Sequence, residues 1–417
     1  MRAVVVSGLG LVTSIGSGST AVLAALQELR TGIRPLDPLP GTDLPVKVAG
    51  PVDGYDLTAA DSAGWQWPDN AGIDPSLVRG MPPHGLYAMA ALHEALSEAG
   101  LSMGDCGDGR CGLYTASGGS HRLTLQHLSA MARTGWRRGH PLGVVSSIAG
   151  TLSFHLAAML GIRGESCGFV SACASSAHAL GYAADAIRLG RQDRVVVIGA
   201  EDLSLESAMP FHAMGALSTA ADPVKAVRPF DRERNGFAAS GGAAVMILES
   251  ADAAAARGVK PLAFLRGWGQ AADGFHPAAP HPQGAGLEQA MRLAMTDAAI
   301  TPADLGYVNA HAPGTVAGDA AEALALRRFL GNAAPAISST KALTGHTLSM
   351  AGTLEAAICV LALRHGFIPG QAHLADPLAE GTGLHFPRQT LQQPPGFAMN
   401  LNSGFGGANV AMIFSHA

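Results

Sequence analysis

Short apolar runs alternate along this chain with longer segments in which apolar residues recur every three to four positions. Runs of the first kind predict buried strands, and segments of the second kind predict helices. We predict strands at 2–7, 111–115, 194–199, 245–249, 262–268, 306–311, 337–341, 398–402 and 410–414. We predict helices at 20–30, 84–99, 173–188, 287–299, 318–330 and 345–364, and two more within 121–170. Strands that alternate with helices indicate parallel pairing and an α/β sheet protein.

The same rhythm of strands and helices begins again near the middle of the chain, although we find no repeat at the level of residues. We therefore predict two similar α/β halves, residues 1–250 and residues 251–417, packed together. Residues 35–80 are rich in Pro, Gly and Asp and are predicted to be irregular. The segment Gly8-Leu9-Gly10 is predicted to be a turn that ends the first strand, and it lacks the third glycine of a dinucleotide-binding fingerprint.

Composition narrows the classes of function. A chain of 417 residues with 48% hydrophobic and 14% charged residues predicts more than one core and extensive oligomer contact. The formal net charge of −5, without a run of Lys or Arg, argues against a nucleic-acid partner. The N-terminus lacks the features of a signal peptide, and the uncharged stretch 141–162 contains several Ser, Thr and Gly residues. We therefore expect a soluble cytoplasmic protein without a membrane span.

Cys173 lies among small residues, where the segment 166–171 gives way to an Ala-rich helical pattern that ends near Arg188. A cysteine at the start of a helix is close to unpaired backbone amides and to the positive end of the helix dipole, which favour the thiolate. Free cysteine is also among the most buried residue types, so the same pattern fits a residue that only fills space. Reactive partners elsewhere in the chain would favour the first interpretation.

Three polar clusters in the second half follow predicted strands or form tight turns, where α/β proteins place functional residues. They are the segment 311–315 that begins with His311, the segment 339–346 that holds Lys341 and His346, and the glycine-rich turn 404–407. Each cluster alone fits a structural role. Together with Cys173 they suit acyl transfer, which needs a nucleophile, groups that handle protons and stabilisation of negative charge. The histidine spacings fit no zinc motif and no Asp or Glu cluster joins them, so we predict no metal site.

Further sequence motifs are found from the N-terminus to residues 404–407, over nearly the whole chain. They are VVVSGLGLVTSIG near the N-terminus, VSACASSAHALG around Cys173, AMGALST at 213–219, RPFDRERNGF at 228–237, YVNAH at 307–311, SSTKALTGH at 338–346 and GFGG at 404–407. With these motifs the chain resembles the β-ketoacyl-acyl-carrier-protein synthases, the elongating condensing enzymes of fatty acid and polyketide synthesis, and among them the bacterial type II enzymes. The resemblance implies a dimer with a thiolase-like fold, in which two pseudo-duplicated α/β halves form a layered αβαβα core.

The resemblance also implies chemical roles for residues of this chain. Cys173 matches the nucleophile that receives the growing acyl chain from the acyl carrier protein. His311 and His346 match the pair that assists decarboxylation of the malonyl thioester and stabilises the resulting enolate. Lys341 matches the lysine that orders the site, and Glu355 matches the buried acid near it.

Further positions are implied to bind the substrate. Phe405 matches a gating aromatic residue, and its amide would form an oxyanion hole with the amide of Cys173. Thr315, Gly406 and Gly407 match substrate-binding positions. The resemblance implies no cofactor of the enzyme itself, because the phosphopantetheine arm belongs to the carrier protein.

Three departures from the family pattern lie close to these positions. Pro313 replaces the first threonine of the usual HGTST segment, which would hydrogen-bond the pantetheine arm. Asn235 stands where an aspartate is common, and the last turn reads LNSGFGG in place of NSFGFGG. These departures indicate an enzyme of a specialised pathway and leave the implied cysteine, histidine and lysine set intact.

Two alternatives remain open at this point. One is a ketosynthase-like subunit of the chain-length-factor type that works only in a heterodimer, although such subunits typically lack the cysteine. The other is a thiolase, which uses a second cysteine near the C-terminal glycine-rich turn. No cysteine follows Cys359 in this chain, which disfavours the thiolase.

Overall fold

The computed structural model describes residues 1–36, 44–59 and 61–417 of the chain. Within these ranges the strands are β1 (Val4–Thr13), β2 (Gly16–Ser17), β3 (Arg34–Pro35), β4 (Val48–Ala49), β5 (Cys111–Ala116), β6 (Ser166–Phe169), β7 (Arg194–Glu201), β8 (Gly242–Ser250), β9 (Ala263–Ala272), β10 (Leu305–Asn309), β11 (Ala336–Ser338), β12 (Phe397–Gly404) and β13 (Ala408–Ser415). The α-helices are α1 (Ser19–Glu28), α2 (Pro83–Glu98), α3 (His121–Thr134), α4 (Leu152–Leu160), α5 (Ser175–Arg188), α6 (Leu205–Ala213), α7 (Pro223–Ala226), α8 (Ala251–Ala256), α9 (Ala285–Ala298), α10 (Val316–Leu330), α11 (Lys341–Thr344) and α12 (Ala351–His365). Every strand and helix predicted from the sequence has a counterpart. The predicted irregular stretch 35–80 lies partly outside the described ranges.

Eleven strands within the described ranges form one mixed sheet, whose order repeats outward from its centre in both directions. At the centre β1 pairs antiparallel with β9. On one side follow β8, β7, β5 and β6, and on the other side follow β13, β12, β10 and β11. On each side the first two pairings are antiparallel and the last two are parallel. The two halves of the chain therefore share one topology. The sequence reveals it only as a similar alternation of strands and helices in each half.

The two faces of these strands enter different hydrophobic layers, because successive side chains of a strand point to opposite sides. Val195 and Val197 of β7 pack in a central cluster with helices α5 and α12. Val196 and Ile198 of the same strand pack against α2 and α4. In the other half, strands β12 and β13 separate the central cluster from a third cluster with α9 and α10. The result is the predicted layered αβαβα arrangement, with α5 and α12 in the middle.

Helices α5 and α12 touch backbone to backbone in this central layer. A Cβ atom at Gly352 would lie 2.3 Å from the amide nitrogen of Ala177, so only glycine fits there. The amide of Thr353 donates a hydrogen bond to Oγ of Ser176 (3.0 Å). The stretch Leu348–His365 is apolar and long enough to cross a membrane, and 83% of it is buried inside the protein. These contacts fix the distance between the two segments that precede the helices.

The predicted turn at Gly8 and Gly10 is wrong, because both glycines lie inside strand β1. Helix α2 crosses this strand so closely that a Cβ atom at Gly8 would lie 2.2 Å from the carbonyl oxygen of Ala95. A Cβ atom at Gly10 would lie 1.7 Å from the carbonyl oxygen of Ala91. The glycines therefore permit close packing of a helix on a strand and do not end the strand.

Two predicted boundaries near Lys341 are also wrong. The strand predicted to end at Lys341 ends at Ser338, and Lys341 begins the helical turn α11. The helix predicted to start at Gly345 starts at Ala351. Leu348 has a φ of 49°, so the backbone between α11 and α12 leaves the helical conformation and allows a separate turn.

Candidate active site

Cys173 lies in a tight turn between strand β6 and helix α5, two residues before the helix begins. Ala172 has a φ of 51°, a left-handed conformation that costs a residue with a side chain about 1–2 kcal/mol. The amide of Ser171 donates a hydrogen bond to Oγ of Ser175 (2.8 Å), and that hydroxyl donates to the carbonyl of Ala172 (2.6 Å). The side chain of Ser171 pairs with Nδ1 of His178 (2.8 Å). These bonds hold the strained turn and fix the position of the thiol.

The end of strand β12 packs against this turn. A Cβ atom at Gly404 would lie 2.6 Å from the carbonyl oxygen of Ser171 and 3.1 Å from the amide nitrogen of Cys173. Only glycine permits so close an approach of two backbones. The approach brings Phe405, the next residue, into the same cavity as the thiol.

His346 contacts Cys173 directly, with Nε2 3.1 Å from Sγ. Its amide donates a hydrogen bond to the carbonyl of Ala238 (2.9 Å), and its carbonyl accepts one from the amide of Ser240 (3.0 Å). The ring of Phe237 packs edge-on against the imidazole, with the ring centroids 4.9 Å apart. The imidazole is therefore held at hydrogen-bond distance from the thiol by backbone bonds and by a packed aromatic ring.

His311 lies beside His346, with the ring centroids 5.3 Å apart and the ring planes at 79°. It follows strand β10, as predicted. The amides of His311 and Ala312 donate hydrogen bonds to the two carboxylate oxygens of Glu322 (2.8 and 2.6 Å). Burial raises the pKa of Glu322 to about 7. This acid on helix α10, which the sequence does not single out, fixes the start of the segment 311–315.

Lys341 and Glu355 form a buried ion pair behind the imidazoles. The ammonium group contacts one carboxylate oxygen of Glu355, and the other oxygen accepts a hydrogen bond from Nδ2 of Asn402 (2.7 Å). The two side chains are 1% and 2% exposed. Burial raises the pKa of Glu355, and Lys341 opposes this effect. The pair does not line the cavity, so it influences the reacting groups through its electric field.

Burial keeps the thiol of Cys173 protonated. It raises the pKa of Cys173 to about 12, while the ammonium of Lys341 opposes the rise and the carboxylates of Glu201 and Glu355 add to it. The prediction that a helix start favours the thiolate is therefore wrong for this state. Helix α5 begins two residues beyond the sulfur, and desolvation outweighs the dipole.

The two imidazoles are neutral as well. Burial, followed by the charge of Lys341, holds the pKa of His311 and of His346 well below the usual range. A neutral imidazole can accept a proton from a thiol at one nitrogen, or donate a hydrogen bond to a developing oxyanion. The site therefore holds an uncharged nucleophile beside an uncharged base.

A cavity of about 420 Å³ opens onto these groups. Its lining includes Cys173, His311 and His346, together with the predicted positions Thr315 and Phe405. The cavity thus brings together the predicted nucleophile, both histidines, the gate and one predicted substrate-binding residue.

Gly406 and Gly407 are placed differently and do not line the cavity. The amide of Gly406 donates a hydrogen bond to the carbonyl of Pro277 (2.8 Å), and the carbonyl of Gly407 accepts one from the amide of Asp273 (2.9 Å). Both glycines have a positive φ, 80° and 73°, which the tight turn requires. They hold the turn that carries Phe405.

One wall of the cavity is polar and is not predicted from the sequence. The hydroxyl of Ser403 donates a hydrogen bond to Oδ1 of Asn409 (2.7 Å), and Nδ2 of Asn409 donates to Oδ1 of Asp273 (2.9 Å). All three residues line the cavity. The altered LNSGFGG turn draws attention to Ser403, whereas nothing in the sequence pattern marks Asp273. In the part of the chain that the structure describes, no group of three or more His, Cys, Asp or Glu residues could hold a metal ion.

Comparison with known proteins agrees with this geometry. The family model described as "Beta-ketoacyl synthase, N-terminal domain" matches residues 1–254, and the model of the C-terminal domain matches residues 262–375. The chain is 36% identical to 3-oxoacyl-acyl-carrier-protein synthase 1 of Escherichia coli (strain K12), over 99% of this chain and 98% of that protein.

Comparison with solved structures also finds β-ketoacyl synthases. A β-ketoacyl synthase from Burkholderia phymatum STM815 is 30% identical, with a TM-score of 0.89 and full coverage of both chains. A chain of the ishigamide ketosynthase/chain length factor is 29% identical, with a TM-score of 0.87, over 100% of this chain and 99% of that one. With its thiolase-like fold and matches over nearly its whole length, the chain belongs to the β-ketoacyl synthase family.

Proposed function

We propose that this protein is a β-ketoacyl-acyl-carrier-protein synthase, which joins a cysteine-bound acyl chain to a malonyl unit with loss of carbon dioxide. The observation that carries the proposal is the 3.1 Å contact between Nε2 of His346 and Sγ of Cys173, in a cavity that His311 also lines. A thiol with one imidazole at hydrogen-bond distance is a nucleophile with its base. The second imidazole is then available for the second substrate.

The first step transfers an acyl group to Cys173. Nε2 of His346 takes the thiol proton as the sulfur attacks the thioester carbonyl, and the carrier leaves as a thiol. The amides of Cys173 and Phe405, which Gly404 brings close together, stabilise the charge on the carbonyl oxygen. The acylated sulfur carries no charge, so the high pKa of the buried thiol does not disfavour this intermediate.

The second step uses both imidazoles. The malonyl thioester loses carbon dioxide when the bond between its α-carbon and the carboxylate breaks, and the electron pair forms an enolate. His311 and His346 donate hydrogen bonds to the enolate oxygen, and the positive charge of Lys341 favours the anion. The enolate carbon then attacks the acyl carbonyl, the bond to the sulfur of Cys173 breaks, and the thiolate takes up a proton from solvent water by way of His346.

The reaction divides between the two halves of the chain. We place the boundary between residues 250 and 251, in the connection from β8 to β9. The half 1–250 holds the acyl chain on Cys173. The half 251–417 supplies His311, His346 and Lys341 for decarboxylation.

We propose an acyl carrier protein as the donor of both substrates, as the name of the Escherichia coli relative states for that protein. Its phosphopantetheine arm enters past Phe405, and the enzyme needs no cofactor of its own. Pro313 has no amide hydrogen to offer the arm. Thr315 is then the hydroxyl that the segment 311–315 retains for this contact, while Gly406 and Gly407 support it by holding the turn of Phe405.

The function can be tested with purified protein, malonyl-carrier protein and an acyl-carrier protein primer. We expect release of carbon dioxide, a β-ketoacyl product two carbons longer than the primer, and a mass increase at Cys173 equal to the acyl group. Intact-mass spectrometry measures the product on the carrier and the mass increase of the enzyme, and the released carbon dioxide is measured separately. Transfer of acyl groups from malonyl-carrier protein without loss of carbon dioxide would contradict the proposal.

A second subunit of the same fold is the second part of the proposal. Strand β6 is the last strand on its side of the sheet, and Cys167 and Val170 are exposed on or beside it. Phe154 of helix α4 is exposed as well. An open sheet edge with exposed apolar residues indicates a protein partner. The occupant is a second copy or a ketosynthase-like partner, such as the chain length factor named with the ishigamide ketosynthase.

Light scattering is expected to give twice the chain mass of 42.4 kDa for a homodimer. Because the edge would carry the interface, Val170→Asp is expected to dissociate it. Leu293→Asp, on the outer helix α9, is the matched control and should leave the dimer intact. A chain that stays monomeric and inactive until a ketosynthase-like partner is added would favour the heterodimer, and a fully active monomer would refute both.

A further inference from the structure

Glu201 is a buried acid at the site that the mechanism above does not use. It is the last residue of strand β7 and is 2% exposed. One of its carboxylate oxygens accepts hydrogen bonds from the amide of Ser349 (3.2 Å), from the hydroxyl of Ser349 and from the amide of Gly118 (3.4 Å). A single side chain therefore joins the turn after β5 to the turn that precedes α12.

The turn that Glu201 holds is the one that carries His346. Ser349 lies three residues after His346, in the 3-10 turn Leu348–Met350. Within that turn Leu348 has a φ of 49°, which is unfavourable for a residue with a side chain. The two hydrogen bonds from Ser349 to Glu201 stabilise this conformation from one side. The backbone bonds of His346 to Ala238 and Ser240 stabilise it from the other.

The backbone at Gly118 also packs closely against the carboxylate of Glu201. A Cβ atom at Gly118 would lie 2.8 Å from Oε1 of Glu201, so only glycine can bring its amide to the acid. Asp202, the next residue, is also buried but makes different contacts. It accepts a hydrogen bond from the hydroxyl of Ser120 (2.6 Å) and lies 3.9 Å from Arg122.

We propose that Glu201 is a positioning residue, which holds the turn of His346 against Cys173 and places a buried carboxylate charge beside that turn. The inference rests on the proposed function only for its effect on turnover. Its effect on the thiol can be measured without any substrate.

The charge on Glu201 depends on pH near neutrality. Burial raises the pKa of Glu201 to about 7, and the hydrogen bonds from Ser349 and Gly118 oppose the rise. The carboxylate is therefore neutral below about pH 7 and negative above it. Asp202, the next residue, adds to the rise, and Glu201 in turn interacts by charge with Cys173.

The test is the rate of alkylation of Cys173 by iodoacetamide as a function of pH, read by mass spectrometry of its peptide. Free N-acetylcysteine in the same solution serves as the reference thiol. In Glu201→Gln the amide oxygen still accepts hydrogen bonds, but the negative charge is gone. We expect the alkylation profile of this variant to lie about one pH unit lower than that of the wild type above pH 7. Below pH 6 the two profiles should coincide, because Glu201 is protonated there.

Two further variants complete the design. Asp202→Asn removes the neighbouring buried charge without touching Ser349, and its profile should follow the wild type. Glu201→Ala removes the hydrogen bonds as well and is expected to lower the condensation rate about tenfold or more. If Glu201→Ala does not fold, the alkylation profile of Glu201→Gln still decides whether the inference about Glu201 holds. Profiles of Glu201→Gln and wild type that coincide above pH 7, or an equal shift in Asp202→Asn, would overturn the inference.

Discussion

Cys173→Ala is expected to abolish condensation while leaving decarboxylation of malonyl-carrier protein. In the proposed mechanism the sulfur holds the acyl chain, so the rate of chain elongation should fall about a thousandfold or more. His311, His346 and Lys341 remain in place, because they are fixed by their own backbone and ion-pair contacts. The enolate should therefore still form and be protonated to an acetyl thioester.

The two activities can be measured on one sample, by the carbon dioxide released and by the mass of the carrier-bound products. Cys106→Ala is the matched control, since it removes a buried thiol that does not line the cavity and should change neither activity. Elongation by Cys173→Ala at the wild-type rate would show that the acyl chain is held elsewhere. Loss of both activities together, in a folded protein, would contradict the division of labour between the two halves.

Lys341→Met is expected to destabilise the protein by about 3–5 kcal/mol at pH 8, because it leaves Glu355 without its partner in a buried position. The sign of the pH dependence follows from this carboxyl group. Burial raises the pKa of Glu355 above its value in the unfolded chain, and removal of the lysine raises it further. A carboxyl group whose pKa is raised by folding destabilises the folded protein little at low pH, where it is protonated in both states. As the pH rises above the pKa of this group in the unfolded chain, the free energy of unfolding falls. The variant should therefore be much closer to the wild type at pH 5 than at pH 8.

Urea denaturation at the two pH values measures this effect. The double variant Lys341→Met with Glu355→Met removes both charges and should recover most of the lost stability. If the pair also acts on the chemistry, the stable double variant should decarboxylate malonyl-carrier protein at least about tenfold more slowly than the wild type. A single variant as stable as the wild type at pH 8 would mean that Glu355 is already neutral in the native protein.

The elements of the fold could be predicted because buried strands and amphipathic helices leave a local pattern. The errors arise where distant contacts override that pattern. Gly8 and Gly10 look like a turn in the sequence, but they allow helix α2 to cross strand β1. The duplicated topology could be predicted only as a repeated alternation of strands and helices, since the order of strands in the sheet depends on pairings between residues far apart in the chain.

The meeting of Cys173, His311 and His346 in one cavity could be predicted, because these residues lie in recognisable motifs that follow strands or form tight turns. Their protonation states could not. The dipole argument for Cys173 is local, whereas its pKa is set by burial from every side. Glu201 and Asp202 look like an ordinary acidic pair after a strand, and only the packing of the turn Leu348–Met350 against the end of β7 makes one of them a support for His346.

The backbone contact between Gly352 and Ala177 has a consequence for the evolution of such enzymes. It sets the separation of the segments that carry Cys173 and His346 through main-chain atoms, so substitutions on the cavity wall do not alter it as long as residue 352 stays glycine. Positions on the cavity wall such as Pro313 and Ser403 are therefore free to vary without disturbing the bond-forming distance. Substrate preference can diverge in this architecture while the reaction itself is inherited unchanged.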